Sequence, residues 1–460
     1  MAYIRLSTPD AGLFAGPIGK ERAYPLPGRV TGWAWLPDSK SLLAMVADTQ
    51  SLSTLVRLEL SSGRTEVLAR DLDADPTFSP VAVTTDGHYA YVALASLGIP
   101  SPQDRKESVA NRDLDIYEVK LVYGRRHVVV GTPADDFAPQ VSAGHLYWTT
   151  ASIDASVVVI PIAGGAARTI VPGGQVPSWR PDGQQMGYFF GASRMADWSL
   201  NFDGGIVDVD AAGAAVGTPR AFTTWYGEDF PPVWSPDGRW IAYHSHRPPA
   251  PTVSYEGNSD DIWLRRAGAP AAEDIRLTDF GLEAGSPDWS PDGTRLVFTS
   301  WEKDGEPEGA FPWIVTIDPS TGRPLWHGRL PLPAPIRGAE QAAWSPNGEE
   351  LAIEEKTAEG RHRLWVVRAD GNRARKVVDY AMPTYGGVDW TPDGKTLVYS
   401  ALAGERMQLF TVPAGGGTPR KLTTDQQNLL HPQVSPNGEL IAATRVLQRK
   451  ELWRVPLPPR

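Results

Sequence analysis

Two histidines, His244 and His246, stand two positions apart in the segment WSPDGRWIAYHSHR (234–247). Residues two apart in a β-strand point to the same face, so both imidazoles could bind one divalent metal ion. Arg247 follows them and could pair with an anion such as a sugar carboxylate. His431, from another segment, is a candidate third ligand. These residues define a candidate metal centre.

The same segment also supports a purely structural interpretation, which we favour. Two histidines without a third ligand nearby are a weak signal for a metal. Related segments read TSW, EEK and SAL at the corresponding positions, so the histidine pair belongs to this segment alone. We therefore expect no cofactor, and a divalent metal ion is the alternative.

The left half of this segment is one copy of a repeat. Related segments are WSPDGTRLVFTS from Trp289, WSPNGEELAIEE from Trp344 and WTPDGKTLVYSA from Trp390, and weaker copies begin at Trp35, Val83, Val141, Trp179 and Val434. The turn residues of the first and last copies are Asp38 and Asn437, which gives a spacing of roughly 50 residues, typical of a four-stranded propeller blade.

Each copy carries the residues of a tight hairpin. Proline fixes φ, aspartate or asparagine bonds back to the backbone, and glycine takes a positive φ. Downstream segments such as DIWLRR (261–266) and IRLTD (275–279) supply a third and a fourth strand. The pattern predicts an all-β chain, a β-propeller of nine four-stranded blades, or of eight if residues 135–171 do not form a blade of their own.

The two ends of the chain suggest how such a ring closes. The last copy has no fourth strand, and YIRLST (3–8) nearly repeats DIRLTD (274–279). We expect residues 3–8 to form the outer strand of the last blade, which hides the sheet edges. Residues 1–460 then form a single domain with blades at 30–70, 76–131, 136–171, 175–224, 229–279, 284–332, 339–379, 385–424 and 429–460 plus 3–8.

The WSPDG turn with a downstream DIW and RLT resembles the WD-like repeat of the TolB family, and it covers the propeller part of that family only. The resemblance implies a β-propeller. Similar blades occur in binding proteins, in the gating propellers of prolyl-oligopeptidase-type enzymes and in oligogalacturonate lyases, which use a histidine-bound metal. The resemblance is therefore more specific for fold than for function.

In a propeller, the inner strands surround a central channel and ligands usually bind at its mouth. The residues just before the predicted inner strands are mostly acidic, so they could attract a cation, a basic peptide or a polyamine. The candidate ligand-binding residues are Asp75, Asp136, Glu228, Asp229, Glu283, Glu340, Tyr385 and His431, together with Arg247. Another acidic pair, Glu354 and Glu355, is not expected to act as one clamp, because neighbours in a strand point to opposite faces.

Composition excludes several classes of function. A net charge of −10 argues against nucleic-acid binding, and the absence of cysteine excludes thiolate catalysis and disulfides. A G-x-S-x-G nucleophile motif is also missing. No apolar run has the length of a membrane span, and MAYIRLSTPD does not read as a signal peptide. The compartment stays open: periplasmic if a signal has been removed, otherwise cytoplasmic.

Together these observations predict a monomeric, non-catalytic propeller that binds a protein, a peptide or a small ligand at the mouth of its channel. The alternative is a metal-assisted enzyme acting on carbohydrate, a lyase or a hydrolase, centred on His244 and His246.

Overall fold

Regular structure in this protein is almost entirely β-strand, as the repeat predicts. The computed structural model describes residues 2–5, 12–16, 20–47, 52–74, 79–95, 114–131, 135–194, 200–224, 228–245, 261–278, 283–301, 310–357, 360–382 and 386–458. One short 3-10 turn, Ala271–Glu273, accompanies the strands in these ranges. Among the described residues, no helix is long and apolar enough to cross a membrane.

Contacts divide the chain into two compact units. Unit 1 comprises Met1–Ile153, Ser193–Leu200 and Gln448–Arg460, and unit 2 comprises Asp154–Ala192 and Asn201–Leu447. The single-domain organisation expected from the sequence stays a prediction.

Unit 1 contains antiparallel sheets built from strands that are consecutive in sequence. The sheets are β1 (Ala2–Arg5), β2 (Gly12–Ala15) and β3 (Arg22–Tyr24); β4 (Arg29–Trp35), β5 (Ser41–Ala47), β6 (Ser53–Glu59) and β7 (Thr65–Leu72); β8 (Ala82–Val83), β9 (Tyr89–Ala95), β10 (Leu114–Lys120) and β11 (Arg126–Val130); and β12 (Asp135–Ser142) with the first part of β13 (His145–Pro161).

The N-terminal strand does not pair where the sequence predicted. Within the described residues, β1 pairs with β2, with Ile4 opposite Leu13, and not with the last strands of the chain. Leu6 and the rest of the expected closing strand lie outside the described residues. A local hairpin with the apolar segment GLFA (12–15) closes a much shorter loop, so it has the lower entropic cost.

Unit 2 repeats one four-stranded antiparallel sheet along the chain. Its strands are β14 (Arg168–Pro172); β15 (Gln175–Trp179), β16 (Gln185–Arg194), β17 (Leu200–Val209) and β18 (Ala215–Ala221); β19 (Val233–Trp234), β20 (Trp240–Ser245), β21 (Asp261–Arg266) and β22 (Ile275–Arg276); β23 (Glu283–Trp289), β24 (Arg295–Trp301), β25 (Ala310–Ile317) and β26 (Pro324–Arg329); β27 (Gln341–Trp344), β28 (Glu350–Lys356), β29 (His362–Arg368) and β30 (Ala374–Tyr380); β31 (Val388–Trp390), β32 (Thr396–Ala403), β33 (Arg406–Pro413) and β34 (Arg420–Lys421); and β35 (Asn428–Val434) with the first part of β36 (Leu440–Pro456).

Residues 135–171 do not form a blade of their own. The predicted strands HLYWTT and VVVIPI are one continuous strand, β13, of 17 residues. Its second part pairs with β14, and β13 also pairs with β36, so residues 156–172 complete the sheet that β35 and β36 begin. The connecting residues ASIDAS (151–156) contain no glycine or proline, so nothing in them forces a turn.

The innermost strands of unit 2 contact one another in a cycle. In order, β15, β19, β23, β27, β31 and β35 each contact the next, and β35 contacts β15. The indole Nε1 of Trp179 donates a hydrogen bond of 3.1 Å to the carbonyl of Gln433, which joins the same two strands. This cyclic order is that of a β-propeller. In the described part of unit 2 the cycle contains six sheets, where the sequence led us to expect nine blades in one ring.

The repeated WSPDG segment has a structural role that the contacts explain. Trp289 donates from Nε1 to the carbonyl of Val233 in the preceding sheet at 3.1 Å, so the indole ties one sheet to the next. In the turn at 234–238, the Ser235 hydroxyl donates to Asp237, and Gly238 has φ of 69°. The repeated WSPDG segment therefore turns the chain and joins consecutive sheets.

Candidate functional site

A cluster of buried ionisable side chains lies at one end of the sheet β27–β30. Glu340 immediately precedes β27, Glu354 lies in β28, His362 begins β29 and Tyr380 ends β30. The antiparallel register brings these positions together: the amide of Glu340 donates to the carbonyl of Glu354 at 2.8 Å. We call Glu340, Glu354 and His362 the Glu–Glu–His cluster.

Alternation along β28 decides which way its two glutamates point. Leu351 and Ile353 pack towards the sheet β23–β26, whereas Ala352 packs towards the sheet β31–β34. Glu354 follows the second face and reaches His362, while Glu355 follows the first face. The two adjacent glutamates therefore point in opposite directions, as their spacing predicts.

The distances in the Glu–Glu–His cluster are short. His362 Nδ1 lies 3.0 Å from a carboxylate oxygen of Glu354 and 3.8 Å from one of Glu340. The other oxygen of Glu340 is 3.8 Å from the ammonium nitrogen of Lys356. Glu354 is 1% exposed and His362 is 2% exposed, so both side chains are removed from water.

Hydrogen bonds do not compensate for this burial. Within the described residues, neither carboxylate oxygen of Glu354 accepts a hydrogen bond, and the 3.0 Å contact with His362 Nδ1 lacks hydrogen-bond geometry. The buried hydroxyl of Tyr380 interacts with the Glu354 carboxylate without good hydrogen-bond geometry. A buried carboxylate in this state is costly unless a cation compensates it.

Electrostatics in the cluster reflect burial and crowded negative charge. Burial raises the pKa of the Glu340 carboxyl, and the nearby Glu354 carboxylate raises it further, while His362 and Lys356 oppose this rise. Burial and the charge of Glu354 also hold the pKa of Tyr380 well above its ordinary value. Each shift has the sign expected of a site that lacks positive charge.

The cluster has the donor set of a transition-metal site. One ligand atom from each of its three residues lies within 4.8 Å of the other two. Ions such as Zn²⁺ hold nitrogen and oxygen ligands at about 2.0–2.2 Å, so ligands of one ion lie at most about 4.4 Å apart. A small side-chain movement would bring the cluster into this range. An imidazole with two carboxylates suits Mn²⁺, Fe²⁺ or Zn²⁺.

Glu355 is a natural comparison, because it is as deeply buried as Glu354 and yet fully bonded. One of its oxygens accepts from the indole of Trp365 at 2.8 Å, and the other accepts from the backbone amide of Arg337 at 3.0 Å. Its side chain is 4% exposed. The burial of Glu355 is therefore explained by structure alone.

The predicted mouth residues in unit 2 occupy varied environments. Asp229 is buried and forms a backbone bridge to Ser245, while Glu228 bridges to Phe202. Glu283 begins β23, and its side chain lies outside the described part. Burial lowers the pKa of His431 to about 4, so its imidazole is neutral at pH 7.

The remaining mouth residues do not add to the Glu–Glu–His cluster in the described part of the chain. Asp136 lies in unit 1, where its carboxylate accepts hydrogen bonds from the indole of Trp148 at 3.0 Å and from the hydroxyl of Thr150 at 2.6 Å. Asp75 and Tyr385 lie outside the described residues. The acidic ring as a set stays a prediction.

His244, the first residue of the predicted metal pair, is in the interior of unit 2. It lies in β20 and stacks on Phe230, with ring centroids 4.3 Å apart and an interplanar angle of 4°. His246 and Arg247 lie outside the described residues, so the structure does not test the pair.

Sequence reasoning found part of the Glu–Glu–His cluster. It named Glu340 as a mouth residue, but it weighed Glu354 only against its neighbour Glu355, and it missed His362 and Tyr380. The signal that could have found them is the hairpin register: when β28 and β29 are aligned, Lys356 lies opposite His362, and Glu354 lies two residues before Lys356.

Comparisons with known proteins assign the chain to no family. No family model matches it. It is 26% identical over 208 residues to "Uncharacterized peptidase YuxL" of Bacillus subtilis, covering 45% of this chain and 28% of that protein. It is also 26% identical over 209 residues to "Uncharacterized protein Atu1656" of Agrobacterium fabrum, covering 43% of this chain and 60% of that protein. The matches thus span less than two thirds of either relative.

A shorter match and two solved structures extend this comparison. The "Tol-Pal system protein TolB" of Anaeromyxobacter dehalogenans is 32% identical over 83 residues, 18% of each chain. The structure of TolB from Acinetobacter baumannii is 14% identical, covers 74% of this chain and 84% of its own, and has a TM-score of 0.41. An oligogalacturonate lyase in complex with manganese is 15% identical, covers 90% and 95%, and has a TM-score of 0.37.

Proposed function

We propose that the protein is a ligand-binding β-propeller whose unit 2 holds a divalent cation with Glu340, Glu354 and His362, and that it catalyses no reaction by itself. The observation that carries this proposal is the carboxylate of Glu354, which is 1% exposed and accepts no hydrogen bond within the described residues. A bound cation would supply the missing partner for this carboxylate.

Charge balance in the cluster supports a cation over an internal ion pair. Two carboxylates share one imidazole, and the ammonium of Lys356 approaches only Glu340, at 3.8 Å. A metal ion at the centre would replace the poorly aligned contact between His362 and Glu354 with direct coordination. Neutral imidazole is the form that binds a metal.

The ligand-binding role follows from the place of the cluster in the ring. Glu340 stands just before an inner strand, where we expect the mouth of the channel and its ligand, a protein, a peptide or a small molecule. Three protein ligands leave coordination positions open on the ion for a group of that ligand. The local similarity to TolB, named as part of the Tol-Pal system, supports a binding role.

Two other functions are alternatives. A metal-assisted lyase or hydrolase acting on carbohydrate would be centred on His244 and His246. The relatives named as peptidases support an accessory propeller of a peptidase, since the matched residues are only part of those proteins. The experiment below distinguishes the metal centres.

The test compares Glu354→Gln with the matched control Glu355→Gln. The full chain is purified without metal-affinity resin, its metal content is measured by elemental analysis, and Mn²⁺ and Zn²⁺ binding are measured by calorimetry. We expect one equivalent of ion in the wild type and in Glu355→Gln, and at least tenfold weaker binding in Glu354→Gln. Equal affinity in all three proteins, or no binding by the wild type, would overturn the proposal.

The same measurement on His244→Ala decides between the two centres. Loss of the ion from His244→Ala, with Glu354→Gln unchanged, would replace the proposed centre by one at His244 and His246. That result would start a search for activity on acidic oligosaccharides.

A further inference from the structure

The last part of β36, residues 450–456 in unit 1, presents an open strand edge. On one side β36 pairs with β13, and on the other its pairing with β35 ends at Asn428 opposite Val446. Beyond that point, no strand among the described residues pairs with this second edge. Leu452, Trp453 and Val455 are 75%, 50% and 41% exposed. An apolar, unpaired edge is a site for adding another strand.

The sheet β19–β22 shows what normally covers this edge. Its fourth-strand segment IRLT (275–278) lies against DIW (261–263). The amide of Leu277 donates to the carbonyl of Ile262 at 2.8 Å, and the amide of Ile262 donates to the hydroxyl of Thr278 at 3.0 Å. The guanidinium of Arg276 donates to the carboxylate of Asp261 at 2.8 Å. The covered strand β21 thus binds the covering strand with an acidic residue, Asp261, followed by an apolar residue, Ile262.

The sheet β31–β34 repeats the arrangement. The amide of Leu422 donates to the carbonyl of Leu409 at 2.8 Å, and the amide of Leu409 donates to the hydroxyl of Thr423 at 3.0 Å. The Thr423 hydroxyl in turn donates to Gln408 at 2.9 Å. Both covering strands contain a basic residue followed directly by leucine and threonine.

The open edge carries the complementary residues. Glu451, Leu452 and Trp453 stand in the same order as Asp261, Ile262 and Trp263. The edge therefore fits a strand that has an arginine or a lysine opposite Trp453. The positive charge of that residue could then reach Glu451. Leu452 has the apolar side chain and the amide that a covering strand would bind.

The chain itself contains such a strand. β1 reads AYIR (2–5), and the sequence continues with Leu-Ser, so Ile4 and Arg5 correspond to Ile275 and Arg276. Within the described part of the chain, β1 lies at the edge of its own sheet and pairs with β2 alone. Unit 1 of one chain therefore holds two open edges of matching sequence, and in the described residues they are not paired with each other.

We propose that two copies of the chain form a dimer in which β1 of each copy pairs antiparallel with residues 450–456 of the other. Such an exchange uses the same two surfaces on both copies, so it closes as a two-fold dimer and leaves neither edge open. Arg5 of one copy pairs with Glu451 of the other, as Arg276 pairs with Asp261. This dimer differs from the monomer that the sequence led us to expect.

The first test uses charge reversal in the full chain. Light scattering after gel filtration should give a dimer for the wild type and a monomer for Glu451→Arg and for Arg5→Glu. The double variant Arg5→Glu/Glu451→Arg should restore the dimer, which a general folding defect would not do. A monomeric wild type at all concentrations up to about 100 µM would overturn the proposal.

The second test uses cysteine pairs, which the natural sequence makes clean because it contains no cysteine. In the proposed register Ile4 lies opposite Arg454, and opposed residues of antiparallel strands are close enough for a disulfide. Mild oxidation of Ile4→Cys/Arg454→Cys should give a covalent dimer, while Ile4→Cys/Leu264→Cys, at the corresponding position of a strand that β22 already covers, should not. A disulfide within one chain, or none, would overturn the exchange between copies.

Discussion

The sheets β19–β22 and β27–β30 have the same strand order and both bury charge, yet they treat that charge in opposite ways. In the first, Arg265 binds Asp274 through two hydrogen bonds of 2.8 and 2.9 Å, and Tyr243 donates to the same carboxylate at 2.5 Å. In the second, the carboxylate of Glu354 accepts no hydrogen bond within the described residues. A buried charge that has its hydrogen bonds contributes to the stability of the fold, whereas a buried charge without them indicates a candidate ligand-binding position.

The largest effect should come from breaking the satisfied pair. Arg265 and Asp274 are 8% and 0% exposed, so Asp274→Ala leaves a buried guanidinium without its partner. We expect a loss of about 3–5 kcal/mol in the free energy of unfolding, measured by urea denaturation. Cation binding at the Glu–Glu–His cluster should be unchanged under folded conditions. A loss below about 1 kcal/mol would contradict the structural role of the pair.

The next effect sets Glu355 against Glu354. Glu355→Gln weakens hydrogen bonds from Trp365 and from the amide of Arg337, so it should lower the free energy of unfolding by about 1–3 kcal/mol. Glu354→Gln removes a charge that the protein leaves unbonded, so stability should stay the same or rise in metal-free buffer. Thermal unfolding with a chelator checks both variants. Equal destabilisation by the two changes would remove the distinction between the sheets.

Two aspartates on inner strands form an intermediate case. Asp288 accepts from the amide of Trp344 at 2.6 Å, and Asp389 accepts from the amide of Val434 at 2.7 Å, while burial raises the pKa of each to about 7. Between about pH 4 and pH 7 the folded chain therefore binds more protons than the unfolded chain. The free energy of unfolding should therefore fall across this range as pH rises.

Asparagine at these positions keeps the acceptor oxygen but does not titrate in this range. Asp288→Asn/Asp389→Asn should therefore flatten the decline between pH 4 and pH 7, as followed by urea denaturation at several pH values. An unchanged slope in the double variant would show that other groups cause the decline.

The smallest effect concerns His244. Its stack on Phe230 is worth about 1 kcal/mol, so His244→Ala should destabilise the protein slightly and leave its metal content intact. Unfolding by urea and elemental analysis of the same preparation report both quantities. A loss of metal without a loss of stability would contradict this comparison and place the metal site on β20.

Local features of the sequence predicted the parts of the fold that local residues determine. The turn at Ser235, Asp237 and Gly238 forms within five residues, so the local residue types are enough to predict it. The continuity of β13 could not be predicted from the sequence. Strands far away in the sequence pair with β13 and decide whether residues 151–156 form a turn or stay extended. The same reason explains the pairing of β1 with β2.

The Glu–Glu–His cluster shows the same limit for function. Its three residues lie on three strands, and their proximity depends on the register of two hairpins. Glu340 was found because the repeat places it before an inner strand. His362 was missed, since it begins a strand whose register with Lys356 only the structure supplies.

The closing sheet of unit 2 also has a consequence for how the protein is made. Its bond from Trp179 to Gln433 joins residues 254 positions apart, so the ring cannot close until Gln433 has left the ribosome. At about 5–20 residues per second, the early strands wait roughly 13–50 s for their partners. During that interval the apolar residues of β13 are exposed, so we expect newborn chains to depend on chaperones more than the finished protein does.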